Sequence, residues 1–327
     1  MAQPCIRILA TGGTIAGTSG SATGKAYRAG QIGIGALLEE ARALGLGMAC
    51  EGRQIAAIGS QDIGWAEWDA LHRECSEALA DEGICGVVIT HGTDTAEETA
   101  FLLDRTLPTS KPIVLTGAMR PADALGSDGM RNLATALRVA ADTGAAGRGV
   151  LVAMGDQVFA ARDVRKAATQ GPEAFRGYPR GSIAAVSPSS LEWFGPPARS
   201  GEAALFDWPA ALPRVDVIYA AAAMDRVSVD AALAAGANGI VLAGLGQGNA
   251  PRGVLEALGE AVARGVAVVR SSRTDQGQVD RNVEVDDDDY GFVAARALNP
   301  AKSRILLQLL LASGVSDPAS IQATYDN

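Results

Sequence analysis

Short apolar runs alternate with longer amphipathic or alanine-rich segments along most of the chain. In the first half, apolar runs predict strands at Ile6–Ala10, Ile55–Ile58, Val87–Thr90, Ile113–Leu115 and Val150–Met154. Apolar positions that recur every three or four residues predict helices near Gly35–Ala43, Trp65–Leu79, Ala96–Leu103 and Met130–Ala141. Strands that alternate with helices in this way predict a doubly wound, mostly parallel sheet with helices on both faces.

The pattern is lost between about residues 187 and 213. Ser, Pro, Gly and Trp dominate there, as in Gly195–Pro197, and no period survives. Alternation then resumes, with elements predicted at Val215–Ala220, Val229–Ala235, Gly239–Ala243, Arg252–Arg264, Val266–Arg270 and Lys302–Ala312. The chain is therefore predicted to be an α/β protein with two domains of unequal size. The predicted limits are 1–190 for the larger domain, 191–212 for the linker and 213–327 for the smaller domain.

Composition and charge restrict the possible partners. Of the 327 residues, 48% are hydrophobic and 20% are charged, which excludes disorder, collagen and coiled coil. The formal net charge of -9, without any basic stripe, argues against a nucleic-acid partner. The longest apolar stretches, such as Ile305–Ala312, fall well below the roughly 20 residues of a membrane helix, so no membrane partner is expected.

The start of the chain and its cysteines bear on the compartment. Met1–Arg7 lacks the basic region and apolar run of a secretory signal, which favours the cytoplasm. A mature exported protein would look the same after its signal was removed, so the periplasm is the alternative. The four cysteines show no CxxC pair, and no zinc site is expected. Cys75 and Cys85 could be bridged in an oxidising compartment, but free buried thiols are favoured.

Small polar residues follow the first predicted strand directly. Thr11–Gly17 contains two glycines, which allow a tight turn, and a hydroxyl at Thr14 beside backbone N–H groups. Ligands of doubly wound sheets bind beyond the carboxyl ends of strands, so Thr14 is a candidate nucleophile. The alternative is an ordinary glycine-rich turn whose threonines only hydrogen-bond the backbone.

The next two strand ends carry polar side chains as well. The third predicted strand runs into Thr93 and Asp94, just before a helix whose N-terminus would favour a carboxylate or a developing oxyanion. Thr95 and Glu98 have the spacing of a capping box. The alternative interpretation makes Asp94 a second cap and Thr93 part of a turn. The second strand ends in Gly59–Asp62, another polar cluster at the same sheet edge.

Four further features of the sequence bear on chemistry. Lys166 lies in a charged stretch that is usually solvated, but near a threonine and an aspartate it could act as a base. His91 and His72 invite a Ser-His-Asp hypothesis, which we discount because no GxSxG segment occurs. Gly244–Asn249 lacks the last glycine of a dinucleotide fingerprint, and the acidic run 286–289 lacks the spacing of a calcium loop. No cofactor and no metal are expected.

Two segments, Ile8–Gly17 and Ile89–Ala100, closely resemble the signature segments of the bacterial L-asparaginase family. The resemblance covers nearly the whole chain, because it extends through Ile58–Asp62, Thr116–Pro121, Ala267–Arg273, Tyr290–Val293 and Leu298–Pro300. Within that family, the sequence most resembles the type II, high-affinity branch. It implies the two-domain asparaginase-like fold, and a homotetramer built as two intimate dimers.

The resemblance implies a threonine mechanism. Thr14 would be the primary nucleophile, which attacks the side-chain amide carbon and forms an acyl-enzyme. Tyr27, on a mobile flap over Ile15–Ala29, would assist the deprotonation of Thr14. A second group of Thr93, Asp94 and Lys166 would assist proton transfer and activate the water that releases the acid.

The resemblance also implies the contacts with substrate. The corresponding residues are Ser60, Gln61, Asp94, Ala118, Asn249 and Glu284. The first three would hold the α-carboxylate and α-amino groups of the substrate, and Ala118 would meet the amide end through its backbone. The last two would reach in from a neighbouring subunit. The disulfide of exported family members is not matched, because no cysteine lies near Ser110, and this supports the cytoplasm.

Three hypotheses for the function follow. The first is hydrolysis of L-asparagine to L-aspartate and ammonia, with weaker action on L-glutamine. The second is a non-catalytic protein that binds or senses amino acids, which needs neither Lys166 nor Tyr27. The third is a subunit that serves transamidation of mischarged transfer RNA, which predicts an extra N-terminal domain and a basic surface. The sequence favours the first.

Overall fold

The computed structural model of the protein describes residues 5–21, 27–197 and 203–327. The chain divides into two compact units, one extending to Leu205 and one from Phe206 to Asn327. Within the described residues, the larger unit holds an eight-stranded sheet and the smaller unit a four-stranded sheet. The predicted fold class, an α/β protein with a larger N-terminal and a smaller C-terminal domain, is confirmed.

The large sheet is parallel in the middle and at one edge, and antiparallel at the other edge. Its strands are β1 (Cys5–Gly12), β2 (Ala49–Ile58), β3 (Ile84–Thr90), β4 (Ile113–Thr116), β5 (Val150–Met154), β6 (Gln157–Ala160), β9 (Ala184–Val186) and β10 (Leu191–Trp193). The two strands between β6 and β9 in the chain, β7 (Val164–Lys166) and β8 (Phe175–Gly177), form a separate hairpin. The sheet order is β10-β9-β6-β5-β4-β3-β1-β2. Strands β1 to β5 pair in parallel, whereas β6, β9 and β10 are antiparallel.

Helices cover both faces of this sheet. They are α1 (Ile34–Ala43), α2 (Trp65–Ala80), α3 (Ala96–Thr106) and α4 (Gly129–Ala141). Apolar side chains of α2 and α3 pack with Val87 and Ile89 on one face, and those of α1 and α4 pack with Val88 on the other. All three of these β3 side chains are fully buried, and burying each contributes roughly 1.5–3 kcal/mol. This explains why the central strands consist of apolar residues throughout.

The smaller unit also contains a parallel sheet, with its strands in the order β11-β12-β13-β14. Its elements are β11 (Val215–Tyr219), α5 (Val227–Ala234), β12 (Gly239–Gly244), α6 (Arg252–Ala263), β13 (Ala267–Ser272), α7 (Asp287–Tyr290), β14 (Val293–Ala294), α8 (Pro300–Ala312) and α9 (Pro318–Asp326). Arg270 on β13 forms a buried ion pair with Asp287, with Nε and Nη2 lying 2.6 and 2.7 Å from the two carboxylate oxygens.

The apolar pattern located most of the long elements, but it missed the nine-residue helix α9 and the short elements. Every strand and helix predicted from it is present, with ends shifted by a few residues. The strands β6 to β10 and β14 were not predicted, because two to four residues are too few to show a period. The segment predicted as a linker, 191–212, begins with β10, which pairs with β9. Residues 198–202 of that segment lie outside the described residues, and the predicted domain limits stay a prediction.

Among the residues that the structure describes, no helix combines the length and apolar character that crossing a membrane requires. All four cysteines are free. Cys75 packs in the core on one face of the large sheet and Cys85 packs against the core on the other, so the alternative of a bridge between them is wrong.

Candidate active site

The topology of the large sheet creates a crevice between β1 and β3. The connection after β1 leads through α1 to β2 at the edge, and the connection after β3 leads through α3 to β4 on the opposite side. Loops that leave two adjacent strands in opposite directions leave a cleft at the carboxyl ends of those strands. Thr14 follows β1 and Thr93 follows β3, so both hydroxyls lie at this cleft.

A pocket of about 500 Å³ occupies the cleft. Its lining is Gly13, Thr14, Tyr27, Ala29, Gly59, Ser60, Gln61, Gly92, Thr93, Asp94, Met119, Lys166 and Thr169. All of these residues belong to the larger unit. The strand ends that the sequence singled out therefore meet at one concave surface, of a size that suits a small molecule.

Gly13 brings the two threonine loops together. Its φ is +74°, and a Cβ atom on it would lie only 2.4 Å from the backbone nitrogen of Gly92, so the loop after β1 can approach the loop after β3 only with glycine here. The N–H of Gly13 donates to the carbonyl of Ile58 at 2.8 Å. Because this N–H already donates to a backbone carbonyl, it is not available to bind a substrate oxyanion.

Thr14 is paired with Tyr27. The side-chain oxygens of the two residues lie 2.8 Å apart, and either can be the donor. Thr14 is buried, whereas Tyr27 is 47% exposed. The backbone next to Tyr27 is held by an antiparallel bridge, in which the N–H of Thr18 donates to the carbonyl of Arg28 and the N–H of Arg28 donates to the carbonyl of Thr18. The flap expected over Ile15–Ala29 includes residues 22–26, which lie outside the described residues.

Thr93 belongs to a second polar group. The Nζ of Lys166 donates to Oγ1 of Thr93 at 2.9 Å and to Oδ1 of Asp94 at 2.5 Å. Lys166 reaches the pocket because β7 pairs with β8, and its side chain is largely buried. The alternative of a solvated charged stretch around Lys166 is therefore wrong. A cation hydrogen-bonded to a hydroxyl stabilises negative charge that develops on that oxygen.

The helix after Thr93 is not capped as the sequence predicted. Thr95 is the N-cap of α3, but its side chain makes no capping hydrogen bond. Its hydroxyl donates instead to the carbonyl of Ser60 at 2.8 Å, so the capping box with Glu98 is wrong. This hydrogen bond joins the loop after β2 to the loop after β3. Thr93 and Asp94 do lie directly before the helix, as expected.

The structure also places the remaining predicted residues of the larger unit. Ser60, which is buried, and Gln61, which is exposed, begin a 3-10 turn after β2 and line the pocket. Ala118 is fully buried and does not belong to the lining, which its neighbour Met119 does. Asp94 lines the pocket with its side chain mostly exposed.

Asn249 and Glu284 lie in the smaller unit, where the side-chain amide of Asn249 donates to the carboxylate of Glu284. The buried Arg270 bonds both chain segments that carry this pair. Its Nη1 donates to the carbonyl of Gln247 at 2.9 Å, and its carboxylate partner Asp287 follows Glu284 by three residues. The two residues assigned to one substrate contact are thus adjacent in space although 35 positions apart in sequence.

Neither histidine belongs to the pocket lining in the described part of the chain. The ring of His91 is fully buried, and its Nδ1 contacts the carbonyl of Gly92 at 2.7 Å. Burial lowers the pKa of His91 to about 4, so this ring stays neutral near pH 7. Burial also lowers the pKa of His72. In the described ranges no group of three or more His, Cys, Asp or Glu side chains is arranged to hold a metal ion.

Several lining residues were not singled out from the sequence. Gly92 and Met119 follow the ends of β3 and β4 by two and three residues, so the position of each at the sheet edge was a usable signal. Thr169 and Ala29 gave no such signal. Thr169 follows the short strand β7, and only the packing of the β7–β8 hairpin brings it to the pocket.

Comparison with known families agrees with this geometry. Residues 5–199 match the family model described as asparaginase, N-terminal, and residues 214–325 match the glutaminase/asparaginase C-terminal domain. The chain belongs to the asparaginase family. The resemblance predicted from the two threonine segments is therefore confirmed, and the two matches fall on the two units of this asparaginase-family protein.

Relatives of known name match over nearly the whole chain. A protein named probable L-asparaginase periplasmic, from Haemophilus influenzae, is 43% identical over 99% of this chain and 93% of its own length. L-asparaginase 2 of Escherichia coli is 41% identical over 100% of this chain and 94% of its own. A glutaminase-asparaginase of Pseudomonas fluorescens is 40% identical over 93% and 85% respectively.

Proposed function

We propose that this asparaginase-family protein hydrolyses L-asparagine to L-aspartate and ammonia, with lesser activity on L-glutamine. The observation that carries the proposal is the meeting of two hydroxyls, Thr14 and Thr93, at one pocket, each bonded to a further polar side chain. The names of the relatives, L-asparaginase and glutaminase-asparaginase, support both substrates. The two amides differ by one methylene, which is worth about 1–3 kcal/mol in a pocket.

The lining suits a free amino acid, which carries both charges. In the proposed complex the carboxylate of Asp94 binds the α-ammonium group, because among the described lining residues it is the acidic side chain and it is mostly exposed. The hydroxyl of Ser60 and the amide of Gln61 donate to the α-carboxylate. The side chain of Ala118 is buried outside the lining, so in this proposal only its backbone, next to the lining residue Met119, meets the side-chain amide.

In the proposed first step, Oγ1 of Thr14 attacks the side-chain amide carbon and passes its proton towards the oxygen of Tyr27, which lies 2.8 Å away. The carbon–nitrogen bond then breaks, and ammonia leaves with that proton. The product of this step is an ester between the acyl group and Thr14.

In the proposed second step, water attacks the ester carbon, the bond to Oγ1 breaks, and Thr14 recovers a proton. Thr93, which accepts a hydrogen bond from the ammonium of Lys166, orients this water and relays the proton that the water loses towards Oγ1 of Thr14. Asp94 holds Lys166 in place through the ion pair. L-Aspartate is released.

We propose that the active assembly is a homotetramer built as two intimate dimers. Asn249 and Glu284 then enter the pocket of a neighbouring subunit and hold the α-ammonium group together with Asp94. Their mutual hydrogen bond, and the bond from the buried Arg270 to the carbonyl of Gln247 in the same loop as Asn249, support this role, because a substrate contact must be held in a fixed position. No metal, cofactor, nucleic acid or membrane takes part in this proposal.

The compartment that we propose is the cytoplasm. The free thiols in the described chain support a reducing compartment, although the relative from Haemophilus influenzae is named periplasmic. Fractionation of the source cells checks this. Release of the protein by osmotic shock, together with a periplasmic marker enzyme, would contradict the cytoplasm and establish the periplasm.

The proposed hydrolysis is tested by ammonia release from L-asparagine by the wild-type protein and by two variants, Thr14→Ala and Thr93→Ala. Each variant is expected to lose about 10³-fold or more of kcat, because neither hydroxyl can replace the other. Thr106→Ala is a matched control, since this buried hydroxyl bonds the carbonyl of Leu102 within α3. It should stay within about threefold of wild type.

Two outcomes would contradict the scheme. Wild-type turnover in Thr14→Ala or Thr93→Ala would refute the proposed use of that threonine. Calorimetric binding of L-asparagine by the wild-type protein, without ammonia over hours, would instead favour a protein that only binds amino acids.

A further inference from the structure

The loop between β4 and α4 is held rigidly at both of its ends. The buried carboxylate of Asp128 accepts the N–H groups of Met119 and Arg120, each at 3.0 Å. The buried amide of Asn132 donates to the carbonyl of Gly117 and to Asp128, also at 3.0 Å. Buried polar groups that satisfy one another in this way fix a single loop conformation.

From this loop the exposed side chain of Asp123 reaches the segment that follows Thr14. Its carboxylate accepts the N–H of Ser19 at 2.8 Å, the N–H of Gly20 at 2.7 Å and the hydroxyl of Ser19 at 3.0 Å. A fourth bond, from the N–H of Ala122 to the carbonyl of Gly17 at 2.9 Å, joins the same two stretches of backbone. The donors lower the pKa of the Asp123 carboxyl, so it is ionised at neutral pH.

The held segment is the one that carries Tyr27. Thr18, which precedes Ser19, exchanges both backbone hydrogen bonds with Arg28, at 3.2 and 3.0 Å. Arg28 is the direct neighbour of Tyr27. The tyrosine is about half exposed, so its own packing fixes it only in part, yet its oxygen must lie within hydrogen-bond distance of Thr14.

We propose that Asp123 is a positioning residue for Tyr27, which acts by holding Ser19 and Gly20 so that the Thr18–Arg28 bridge keeps the tyrosine oxygen on Thr14. This inference rests on the proposed function, because it assigns the held geometry to the deprotonation of Thr14. Asp123 lies 104 residues from Ser19 and is absent from the pocket lining in the described chain, so it acts on the reaction only through Tyr27.

The first test uses backbone hydrogen exchange, followed by mass spectrometry, and needs no activity. In Asp123→Ala the amides of Ser19 and Gly20 lose their acceptor directly, so they are not informative. The informative amides are those of Thr18 and Arg28, which bond to each other and not to Asp123. We expect both to exchange at least about tenfold faster in Asp123→Ala. Unchanged exchange at Thr18 and Arg28 would overturn the proposal.

Asp317→Ala is the matched control for this measurement. Asp317 is also an exposed carboxylate that accepts a backbone N–H, that of Ser320 at 2.8 Å, and its pKa is lowered for the same reason. It caps α9 in the smaller unit. The loss of this carboxylate should leave exchange at Thr18 and Arg28 at the wild-type rate, and faster exchange there would show a global rather than a local effect and overturn the proposal.

The second test is a double-mutant cycle on ammonia release. We expect Asp123→Ala to lower kcat/KM by about tenfold when Tyr27 is present, since misplacing a reacting group is costly. In a Tyr27→Phe background the same substitution should have less than about a twofold effect, because its target is gone. Equal effects in both backgrounds would show that Asp123 acts independently of Tyr27 and overturn the proposal.

Asp123→Asn provides the conservative variant. Its amide keeps one acceptor oxygen but replaces the other by a donor, so it can retain part of the hydrogen bonding to Ser19 and Gly20. We expect kcat/KM between those of Asp123→Ala and the wild type. If the wild-type protein released no ammonia at all, the proposed function would fail, and hydrogen exchange at Thr18 and Arg28 would still decide whether Asp123 holds this segment.

Discussion

At the scale of single residues, the reactivity of each threonine depends on one partner that the sequence does not place beside it. Thr14 has the oxygen of Tyr27 at 2.8 Å, and Thr93 has the ammonium of Lys166 at 2.9 Å. A threonine hydroxyl is a weak nucleophile until a neighbour removes its proton or stabilises its charge. The threonines are recognisable in the sequence because they follow apolar strands. The sequence around Lys166 is equally compatible with a solvated surface segment, and only the hydrogen bonds of its side chain decide between the two.

His91 leads to a prediction about stability and pH. Burial lowers its pKa to about 4 in the folded protein, from an ordinary value of 6.5. As the pH falls below 6.5, the His91 ring binds a proton in the unfolded chain but stays neutral in the folded protein, so the free energy of unfolding decreases. Between about pH 7.5 and about pH 5 this one group should remove roughly 2 kcal/mol.

Urea unfolding of the wild type and of His91→Gln at several pH values checks this. The variant is expected to be less stable at pH 7.5 but to lose about 2 kcal/mol less on acidification. His72→Gln is the control, because the ring of His72 is only partly buried and should carry a smaller part of the pH dependence. An identical pH dependence in wild type and His91→Gln would show that the ring is not buried in its neutral form.

At the scale of elements, the site depends on how closely the ends of β1 and β3 approach each other. The sequence predicted both strands, and the polar residues after each, because alternation and apolar runs are local properties. It did not predict that a glycine of one loop touches the backbone of the other. It also assigned the hydroxyl of Thr95 to a cap of its own helix, whereas in the folded protein this hydroxyl bonds the carbonyl of Ser60.

Gly13→Ala tests the importance of this approach. The new Cβ would collide with Gly92 at 2.4 Å in addition to the strain of a positive φ, so we expect a loss of several kcal/mol and a fall in ammonia release of about 10²-fold or more. Gly265→Ala is matched, because its φ of +86° is similar and no atom lies within 4 Å of its Cβ position.

The control substitution should cost only about 1–2 kcal/mol and leave turnover unchanged, since it carries the backbone strain without a collision. Denaturant unfolding and ammonia assays on the two variants give both quantities. Wild-type activity in Gly13→Ala would show that the separation of the two threonine loops does not matter for the reaction.

At the scale of the whole molecule, the proposed oligomer assigns residues of one chain to the pocket of another. Thr14→Ala and Glu284→Ala, each inactive alone, should therefore complement each other when the two chains are expressed together. A mixed dimer then contains one site with an intact Thr14 and an intact Glu284. Random mixing should restore about a quarter of the wild-type activity.

The control is co-expression of Thr14→Ala with Thr93→Ala. Both threonines belong to the larger unit of one chain, so no mixed dimer contains an intact pair, and no activity should return. Absence of recovery in the first mixture would place Glu284 in the pocket of its own chain, and full activity of Glu284→Ala alone would remove it from the site.

The sequence by itself determined the layered α/β class, most of the long strands and helices, and the identity of the threonines at the sheet edge, because these follow from local periodicity and from short motifs. Only the tertiary structure decided which distant side chains meet them. Lys166 reaches Thr93 across 73 residues through a hairpin too short to predict, and Asp123 reaches Ser19 across 104. Such contacts depend on how crossovers and loops pack against one another, which no local pattern along the chain encodes.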